Sequence, residues 1–149
     1  MDKLSRMYET SRTNISELPA ELVDCLPTSK WDPDAIQRLS QLDPRKRNIL
    51  LPQLLIWIQD TNWPNAGKIL PFLIAGREEI IPEIQWVLNG QDDIWKGNCI
   101  RHILTRLSTE TVRPLLPTLK RIAEAPTANE KAEEVDVDAA TCIEQLHLA

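Results

Sequence analysis

Apolar residues recur at spacings of three and four positions over most of the chain, a pattern typical of amphipathic helices. The most apolar stretch runs from Ile49 to Ile58, where Gln53 is the main polar interruption. A helix that is apolar on every side is buried by neighbours on most sides, so this stretch is predicted to be the central helix. The alternating pattern of β-strands is absent. The fold class is therefore predicted to be all-α, with about seven helices.

The last predicted helix begins near Asn129 and has two contrasting faces. Its apolar face carries Val135, Ala139, Cys142, Ile143 and Leu146. Its opposite face carries the acids Glu130, Glu133, Glu134, Asp136 and Asp138. A helix with one buried side and one charged, solvated side is expected at the end of a stack of helical repeats.

One short motif recurs three times, as Leu50-Leu51-Pro52, Ile80-Ile81-Pro82 and Leu115-Leu116-Pro117. The spacings between these motifs are 30 and 35 residues. Self-similarity with a period of about 20–50 residues indicates stacked helix pairs, none of which buries its apolar face alone. We therefore predict an α–α superhelix of HEAT-like helical hairpins, with about three pairs and extra N-terminal helices. The prolines are predicted to lie in first helical turns, or to kink helices that begin earlier.

The chain is predicted to divide into an N-terminal tail with one short helix, residues 1–30, and a HEAT-like repeat domain, residues 31–149. Residues 1–14 are polar, which fits either a loose tail or a segment lying on the body of the protein. Asp32 precedes a proline and is predicted to be a helix N-cap. Asn62 and Asp92 are predicted to cap the helices that follow them.

Several of these segments resemble known helical repeats. The pattern Leu-Leu-Pro-x-Leu, a helix, an aspartate turn, a tryptophan and a second apolar helix is similar to HEAT-type repeats. A closer resemblance is to a bacterial family described as domain of unknown function 5071, over roughly Leu26 to Leu146. The motifs that carry it are Trp31-Asp32, Trp57-Ile58-Gln59-Asp60-Thr61-Asn62-Trp63-Pro64, Asp92-Asp93-Ile94-Trp95-Lys96 and Ile122-Ala123-Glu124-Ala125-Pro126-Thr127. The resemblance implies an α–α superhelix and no established activity.

Charge and cysteine usage narrow the range of partners. The net charge of −5 and the lack of a long basic stripe argue against nucleic acid and anionic membrane surfaces as partners. The three cysteines are far apart in the chain, which fits buried thiols in a reducing compartment. The first 14 residues lack the apolar core of a signal peptide, and no apolar run is long enough to span a membrane. We therefore expect a cytoplasmic protein.

Candidate catalytic and ligand residues are few. The two histidines, His102 and His147, are predicted to be surface or half-buried side chains rather than catalytic bases. No zinc-ligand spacing and no glycine-rich phosphate loop occurs, so no cofactor or metal is predicted. Asp60, Asp92 and Asp93 offer carboxylates for a hard cation. Helix capping explains Asp92 without a metal, and we favour that interpretation.

The five tryptophans are unusual in a chain with one phenylalanine and one tyrosine. Trp57 and Trp86 are predicted to fill the space between packed helices. Trp63 and Trp95 lie at turn–helix junctions, where two interpretations stay open. Either their N–H groups are buried against a carbonyl or carboxylate of the turn, or the rings are exposed anchors for a partner.

We predict a non-catalytic protein–protein interaction module. The residues predicted to contact the partner are Asp60, Asn62, Trp63, Asp92, Asp93, Trp95, Glu133 and Glu134. A narrower version is an immunity or antitoxin-like protein, whose acidic face covers a basic toxin domain. The competing hypothesis is a helical-repeat hydrolase or glycosylase that uses Asp60, Asp92 or Asp93, and it requires a deep pocket with convergent carboxylates.

Overall fold

The computed structural model describes residues 3–147, with side chains from residue 6 onward. Every regular element in that range is helical, which confirms the predicted all-α class. The α-helices are α1 (Lys3–Tyr8), α2 (Ala20–Val23), α3 (Pro33–Gln41), α4 (Pro44–Ile49), α5 (Leu51–Leu55), α6 (Pro64–Ala75), α7 (Ile81–Leu88), α8 (Asp93–His102), α9 (Thr109–Val112), α10 (Leu116–Glu124), α11 (Ala128–Ala132) and α12 (Val135–Gln145). Short 3-10 segments cover Ile15–Glu17, Ile56–Gln59, Arg77–Ile80, Leu104–Arg106 and Arg113–Leu115.

The chain forms two compact units, an N-terminal unit that ends at Gly76 and a C-terminal unit that begins at Arg77. The described range holds more helices than the predicted seven or so, because several predicted helices are divided where the helix type changes. The predicted helix from Ile49 to Ile58, for example, comprises the end of α4, all of α5 and most of a 3-10 segment. The superhelical arrangement of the repeats stays a prediction.

The three repeated prolines occupy the same position in the structure. Pro52, Pro82 and Pro117 are each the second residue of their helix, α5, α7 and α10. The residue before each helix has nearly the same backbone angles: Leu50 (φ −88°, ψ 0°), Ile80 (φ −79°, ψ −19°) and Leu115 (φ −89°, ψ −4°). Proline has no N–H for the helix that precedes it, so one helical segment ends and another begins there. The first-turn prediction is confirmed.

The N-terminal unit is built around α5 and the 3-10 segment that follows it. All side chains from Leu51 to Ile58 are buried, including the polar Gln53, whereas Ile49 at the start of the predicted helix is exposed. Helix α6 packs against both elements. The predicted central helix is thus buried, although it is split between two helix types.

The segment that precedes α2 lies on this core rather than forming a loose tail. Tyr8 is buried, and its hydroxyl donates to the carbonyl of Pro27 at 2.7 Å and accepts from Trp57 Nε1 at 3.0 Å. Gln53 Nε2 donates to the carbonyl of Thr13 at 2.7 Å. Burial raises the pKa of Tyr8, so this hydroxyl stays protonated. Of the two alternatives for residues 1–14, the packed segment is therefore the correct one over its described part.

Gly67 offers a simple test of α6. A Cβ at this position would have no atom within 4 Å beyond its own helix backbone and chain neighbours. We expect Gly67→Ala to raise the free energy of unfolding by about 0.5–1 kcal/mol, because alanine loses less backbone entropy in a helix. Urea unfolding followed by circular dichroism measures this change.

The control for this prediction is Gly76→Ala at the end of the same helix. There the new Cβ would lie 2.9 Å from Leu51 Cδ1 and 3.1 Å from the carbonyl oxygen of Leu73, so we expect destabilisation. A stability change of the same sign in both variants would contradict the packing described for α6.

In the C-terminal unit, α12 packs against both α8 and α10. The buried side of α12 carries Val135, Ala139 and Cys142, as its apolar pattern predicted. Ile143 and Leu146 of the same predicted face are half-buried. This arrangement places the ends of α7, α8, α10 and α11 around the polar residues described below.

Six side-chain hydrogen bonds in the C-terminal unit join residues that are about one repeat apart. Their sequence separations run from 33 to 37 residues, close to the repeat spacing. The pairs are Gln85–Thr118, Glu78–Thr111, Lys96–Glu130, Asp93–Asn129, Arg101–Asp138 and Thr109–Leu146. The residues that these six bonds join are therefore spaced like the second and third repeated motifs, which are 35 residues apart. Across residues 3–147, no helix combines the length and apolar character needed to cross a membrane.

Candidate functional site

In the aspartate turn of the N-terminal unit, the Asp60 carboxylate is hydrogen-bonded within the turn itself. Asp60 Oδ1 accepts the backbone N–H of Asn62 at 2.9 Å, and Asn62 itself is exposed. The prediction that Asn62 caps the next helix is wrong, because α6 begins two residues later at Pro64 and its N-cap is Trp63. Trp63 is half-buried and meets Trp57 edge-to-face, with 5.5 Å between ring centroids. Lys30 Nζ lies 5.9 Å from the centroid of Trp63.

In the aspartate turn of the C-terminal unit, the neighbouring residues Asp92 and Asp93 have different roles. Asp92 caps α8, because its carboxylate accepts the backbone N–H of Trp95 at 3.0 Å, as predicted. Asp93 is buried and faces other side chains. Within residues 3–147, no group of three or more histidine, cysteine, aspartate or glutamate side chains is placed to hold a metal ion.

The structure decides between the two interpretations of Trp95 and contradicts the prediction for Trp86. Trp95 is 5% exposed, so the exposed-anchor alternative is wrong for this residue, and Trp86, which was assigned to the core, is 41% exposed. Helix α7 buries Ile84, Val87 and Leu88, and at about 100° per residue Trp86 lies on the side opposite Ile84. The two rings meet edge-to-face with 6.1 Å between centroids. The core assignment of Trp57 is confirmed.

Glu130 is the buried centre of an ionic cluster whose one exposed member is Arg121. Its carboxylate accepts four hydrogen bonds: from Arg121 Nη1 at 2.5 Å, Arg121 Nη2 at 2.9 Å, the backbone N–H of Thr127 at 2.8 Å and Lys96 Nζ at 3.0 Å. Its prediction as part of a solvated acidic face is wrong, since the residue is 0% exposed. The reason is a capping box with Thr127, which turns the glutamate side chain back toward the start of α11.

Asp93 extends the cluster. Its Oδ1 lies 2.7 Å from Lys96 Nζ, and its Oδ2 accepts from Asn129 Nδ2 at 2.6 Å. Two carboxylates and two cations balance formally, which is what burial of charge requires. Burial alone would raise the pKa of Glu130, but the hydrogen bonds from Arg121, Thr127 and Lys96 outweigh it and lower that pKa to about 2. Glu130 is therefore ionised at neutral pH.

A cavity of about 500 Å³ lies beside this cluster. Seven of its ten lining residues have polar side chains. The lining comes from the end of α7, the start of α8, the end of α10 and the start of α11: Leu88, Asn89, Gly90, Gln91, Asp93, Lys96, Arg121, Thr127, Ala128 and Asn129. We refer to it as the cluster cavity. Its volume falls within the usual range for ligand sites, about 300–1,000 Å³.

A smaller cavity of about 270 Å³ lies between α8 and α12, lined by Arg101, Thr105, Asp138, Thr141 and Gln145. Arg101 and Asp138 are paired across it at 2.5 Å. His102 is half-buried, as predicted, and its pKa is lowered by burial and by the neighbouring Arg101. The imidazole is therefore neutral at physiological pH.

Comparison with known proteins identifies the domain that contains these residues. A family model described as "Domain of unknown function (DUF5071)" matches residues 25–143, about four-fifths of the chain. The chain belongs to the DUF5071 family. No curated protein sequence matches it. The DUF5071 region contains both aspartate turns, the ionic cluster and the whole cluster cavity.

The acidic face predicted for the end of the DUF5071 domain is smaller in the structure. Glu133 and Glu134 are exposed as predicted, and Glu134 has a left-handed backbone conformation at the start of α12. Asp136 and Asp138 are half-buried, and Asp138 is paired with Arg101. Two of the five acids are therefore paired with basic side chains of the chain itself.

Sequence reasoning missed Lys96, Arg121, Asn129 and Glu130 as residues of one site. They come from three helices of the DUF5071 domain and are separated by up to 34 positions. One local signal was present, because Thr127 followed three residues later by Glu130 matches the capping-box pattern. That pattern places the Glu130 side chain at the start of a helix rather than on a solvated face.

Proposed function

We propose that this DUF5071 protein is a non-catalytic protein-binding module and that its partner binds at the α7–α8 turn. Two large apolar side chains are exposed there, Trp86 on α7 and Ile94 on α8, at 41% and 55%. We call these two residues and the turn between them the turn surface. The observation that carries the proposal is the exposure of Trp86, whose ring packs edge-to-face against the buried ring of Trp95.

Trp86 suits an anchor for physical reasons. Tryptophan is enriched among the interface residues that contribute most to binding. Its edge-to-face contact with the buried Trp95 restrains the ring, so little side-chain freedom is lost when a partner binds. The polar rim of the cluster cavity begins at Asn89, three residues after Trp86. An apolar anchor bordered by polar groups is the usual composition of an interface.

The carboxylates of the enzyme hypothesis have other partners. Asp60 accepts a hydrogen bond within its own turn, and Asp92 caps α8. Asp93 is paired with Lys96. Catalysis by acid and base needs a carboxylate within reach of a substrate proton, which these contacts do not favour. The narrower proposal of a basic toxin as partner depends on Glu133 and Glu134, since Glu130 and Asp138 are paired.

The test is affinity capture from the native host with matched tryptophan variants. We expect Trp86→Ala to weaken binding of the captured partner by about tenfold or more, the loss typical of an interface hot spot. Trp31→Ala is the control, because Trp31 is 63% exposed in the N-terminal unit and its removal should leave binding unchanged. Circular dichroism confirms that both variants are folded. Equal binding by wild type and Trp86→Ala would contradict the proposal.

A further inference from the structure

The segment that precedes the DUF5071 domain buries very little of itself. Among residues 6–21, which we call the N-terminal strap, Tyr8 has the single buried side chain. In the core that the strap contacts, by contrast, every side chain from Leu51 to Ile58 is buried. Segments with few buried apolar contacts open at a lower free energy than the core of the same protein. The strap is therefore expected to be less stable than the domain that it covers.

The backbone hydrogen bonds of the strap are local. The N–H of Glu9 donates to the carbonyl of Arg6 at 3.2 Å, and the N–H of Leu18 donates to the carbonyl of Ile15 at 3.2 Å. Bonds of this kind join residues three positions apart and do not involve the domain. The strap can therefore leave the domain without breaking them.

The hydrogen bonds between strap and domain converge on Gln53 and Trp57. The hydroxyl of Tyr8 accepts from Trp57 Nε1 and donates to the carbonyl of Pro27, and Gln53 Nε2 donates to the carbonyl of Thr13. Gln53 Oε1 is buried and has no hydrogen-bond partner within the described part of the chain. If the strap opened, water could bind all of these groups, Gln53 Oε1 included, so opening replaces these hydrogen bonds rather than losing them.

The same contacts place the strap at the first of the repeated motifs. Gln53 directly follows Pro52 in the first motif, as Thr118 directly follows Pro117 in the third. The hydroxyl of Thr118 accepts a hydrogen bond at 2.9 Å from Gln85, which belongs to the preceding repeat. Gln53 has its partner in the strap instead. The strap thus supplies to the first motif a contact of the kind that a preceding repeat supplies to the third, which is the role of a terminal cap.

We propose that the N-terminal strap is a cover, latched by Tyr8, that opens while the DUF5071 domain stays folded and thereby uncovers Gln53 and Trp57. The ring and the hydroxyl of Tyr8 leave together, because Trp57 is the edge-to-face partner of the ring and a hydrogen-bond donor to the hydroxyl. The strap belongs to the N-terminal unit and the turn surface to the C-terminal unit, so this inference does not depend on the proposed function.

Tyr8 is the single tyrosine of the chain, so its nitration by tetranitromethane reports the opening of the strap. The full chain is treated at increasing urea concentrations, nitrotyrosine is measured by its visible absorbance, and circular dichroism follows the helices. Without urea, we expect Tyr8 to react at least about tenfold faster than the globally unfolded fraction allows, and at least about tenfold more slowly than N-acetyltyrosinamide. The rate should rise only weakly with urea, because opening of the strap exposes little surface.

Two results of this urea series would overturn the proposal. Nitration in proportion to the globally unfolded fraction would show that the strap opens only with the domain. Nitration as fast as that of N-acetyltyrosinamide would show that Tyr8 is not a latch.

The variant Gln53→Met removes the hydrogen bond to Thr13 and keeps a side chain of similar length. We expect it to speed nitration of Tyr8 by about fivefold, the effect of one lost hydrogen bond. The matched control is Gln85→Met, the same change in the C-terminal unit, which should leave the nitration rate unchanged. A wild-type nitration rate in a folded Gln53→Met variant would also overturn the proposal. If that variant lost helical circular dichroism, the urea series on the wild type would decide by itself.

Discussion

Replacing Glu130 with glutamine is expected to lower the free energy of unfolding by about 3–5 kcal/mol, the usual cost of removing one partner of a buried ion pair. The carboxylate accepts four hydrogen bonds and faces two cations, Lys96 and Arg121. Glutamine has a similar volume, so the effect reports the lost charge rather than a cavity. The NH₂ group of glutamine would also face one of the donors that bind the Glu130 carboxylate, and two donors cannot form a hydrogen bond. Urea unfolding at neutral pH measures the difference.

The control for Glu130→Gln is Glu133→Gln, a change of the same type at an exposed position three residues later. Surface substitutions usually change stability by less than about 0.5 kcal/mol. Equal unfolding free energies for Glu130→Gln and the wild type would mean that the ionic cluster contributes nothing to the fold.

The same carboxylate predicts a pH dependence with a defined sign. The pKa of Glu130 is about 2 in the folded protein, whereas the ordinary pKa of a glutamate side chain is 4.5. A carboxyl group whose pKa is lowered by folding stabilises the protein above its unfolded pKa, and this contribution falls as the pH drops toward the folded pKa. The stability difference between wild type and Glu130→Gln should therefore be constant from pH 7 to 5 and shrink between about pH 4.5 and 2.

Tyr8→Phe is expected to lower the free energy of unfolding by about 2–4 kcal/mol. The substitution keeps the ring, which meets Trp57 edge-to-face, and removes only the hydroxyl. Two buried groups then lose their partner, the carbonyl of Pro27 and the N–H of Trp57. Each buried polar group left without a partner costs about 1–3 kcal/mol. Chemical denaturation followed by tryptophan fluorescence measures the loss.

Thr10→Val is the matched control for Tyr8→Phe. It also removes one hydroxyl from the N-terminal segment, but this hydroxyl is exposed and donates to the nearby carbonyl of Met7. We expect its effect to stay within about 0.5 kcal/mol. If Tyr8→Phe were equally mild, the N-terminal segment would not be fastened to the core through Tyr8, and the packing described for Trp57 would need revision.

Local rules account for the features that the sequence predicted well. The all-helical class follows from apolar spacing, and the position of the three repeated prolines follows from their missing N–H groups. The Asp92 cap and the buried face of α12 also depend on residues within a few positions of each other. The pattern predicted the wrong helix start near Asn62, because Pro64 is a stronger start signal than an asparagine two residues earlier.

The candidate site could be predicted only in part. The sequence places Asp93 at the start of α8 and gives Thr127 and Glu130 the spacing of a capping box. It does not place Lys96 beside Glu130, because that contact joins residues 34 positions apart on different helices. The exposure of Trp86 and the burial of Trp95 depend on the same packing, since either ring suits a core or a surface.

The sequence by itself determined the helices, their capping residues and a repeat of about thirty to thirty-five residues, since these follow from interactions within one or two turns. The tertiary structure decided which charged and aromatic side chains are buried. Burial of a charge is favourable only when a partner from another helix is close enough to compensate it. For Glu130 those partners are Lys96 and Arg121, and only the packing of α8 and α10 around the start of α11 brings them together.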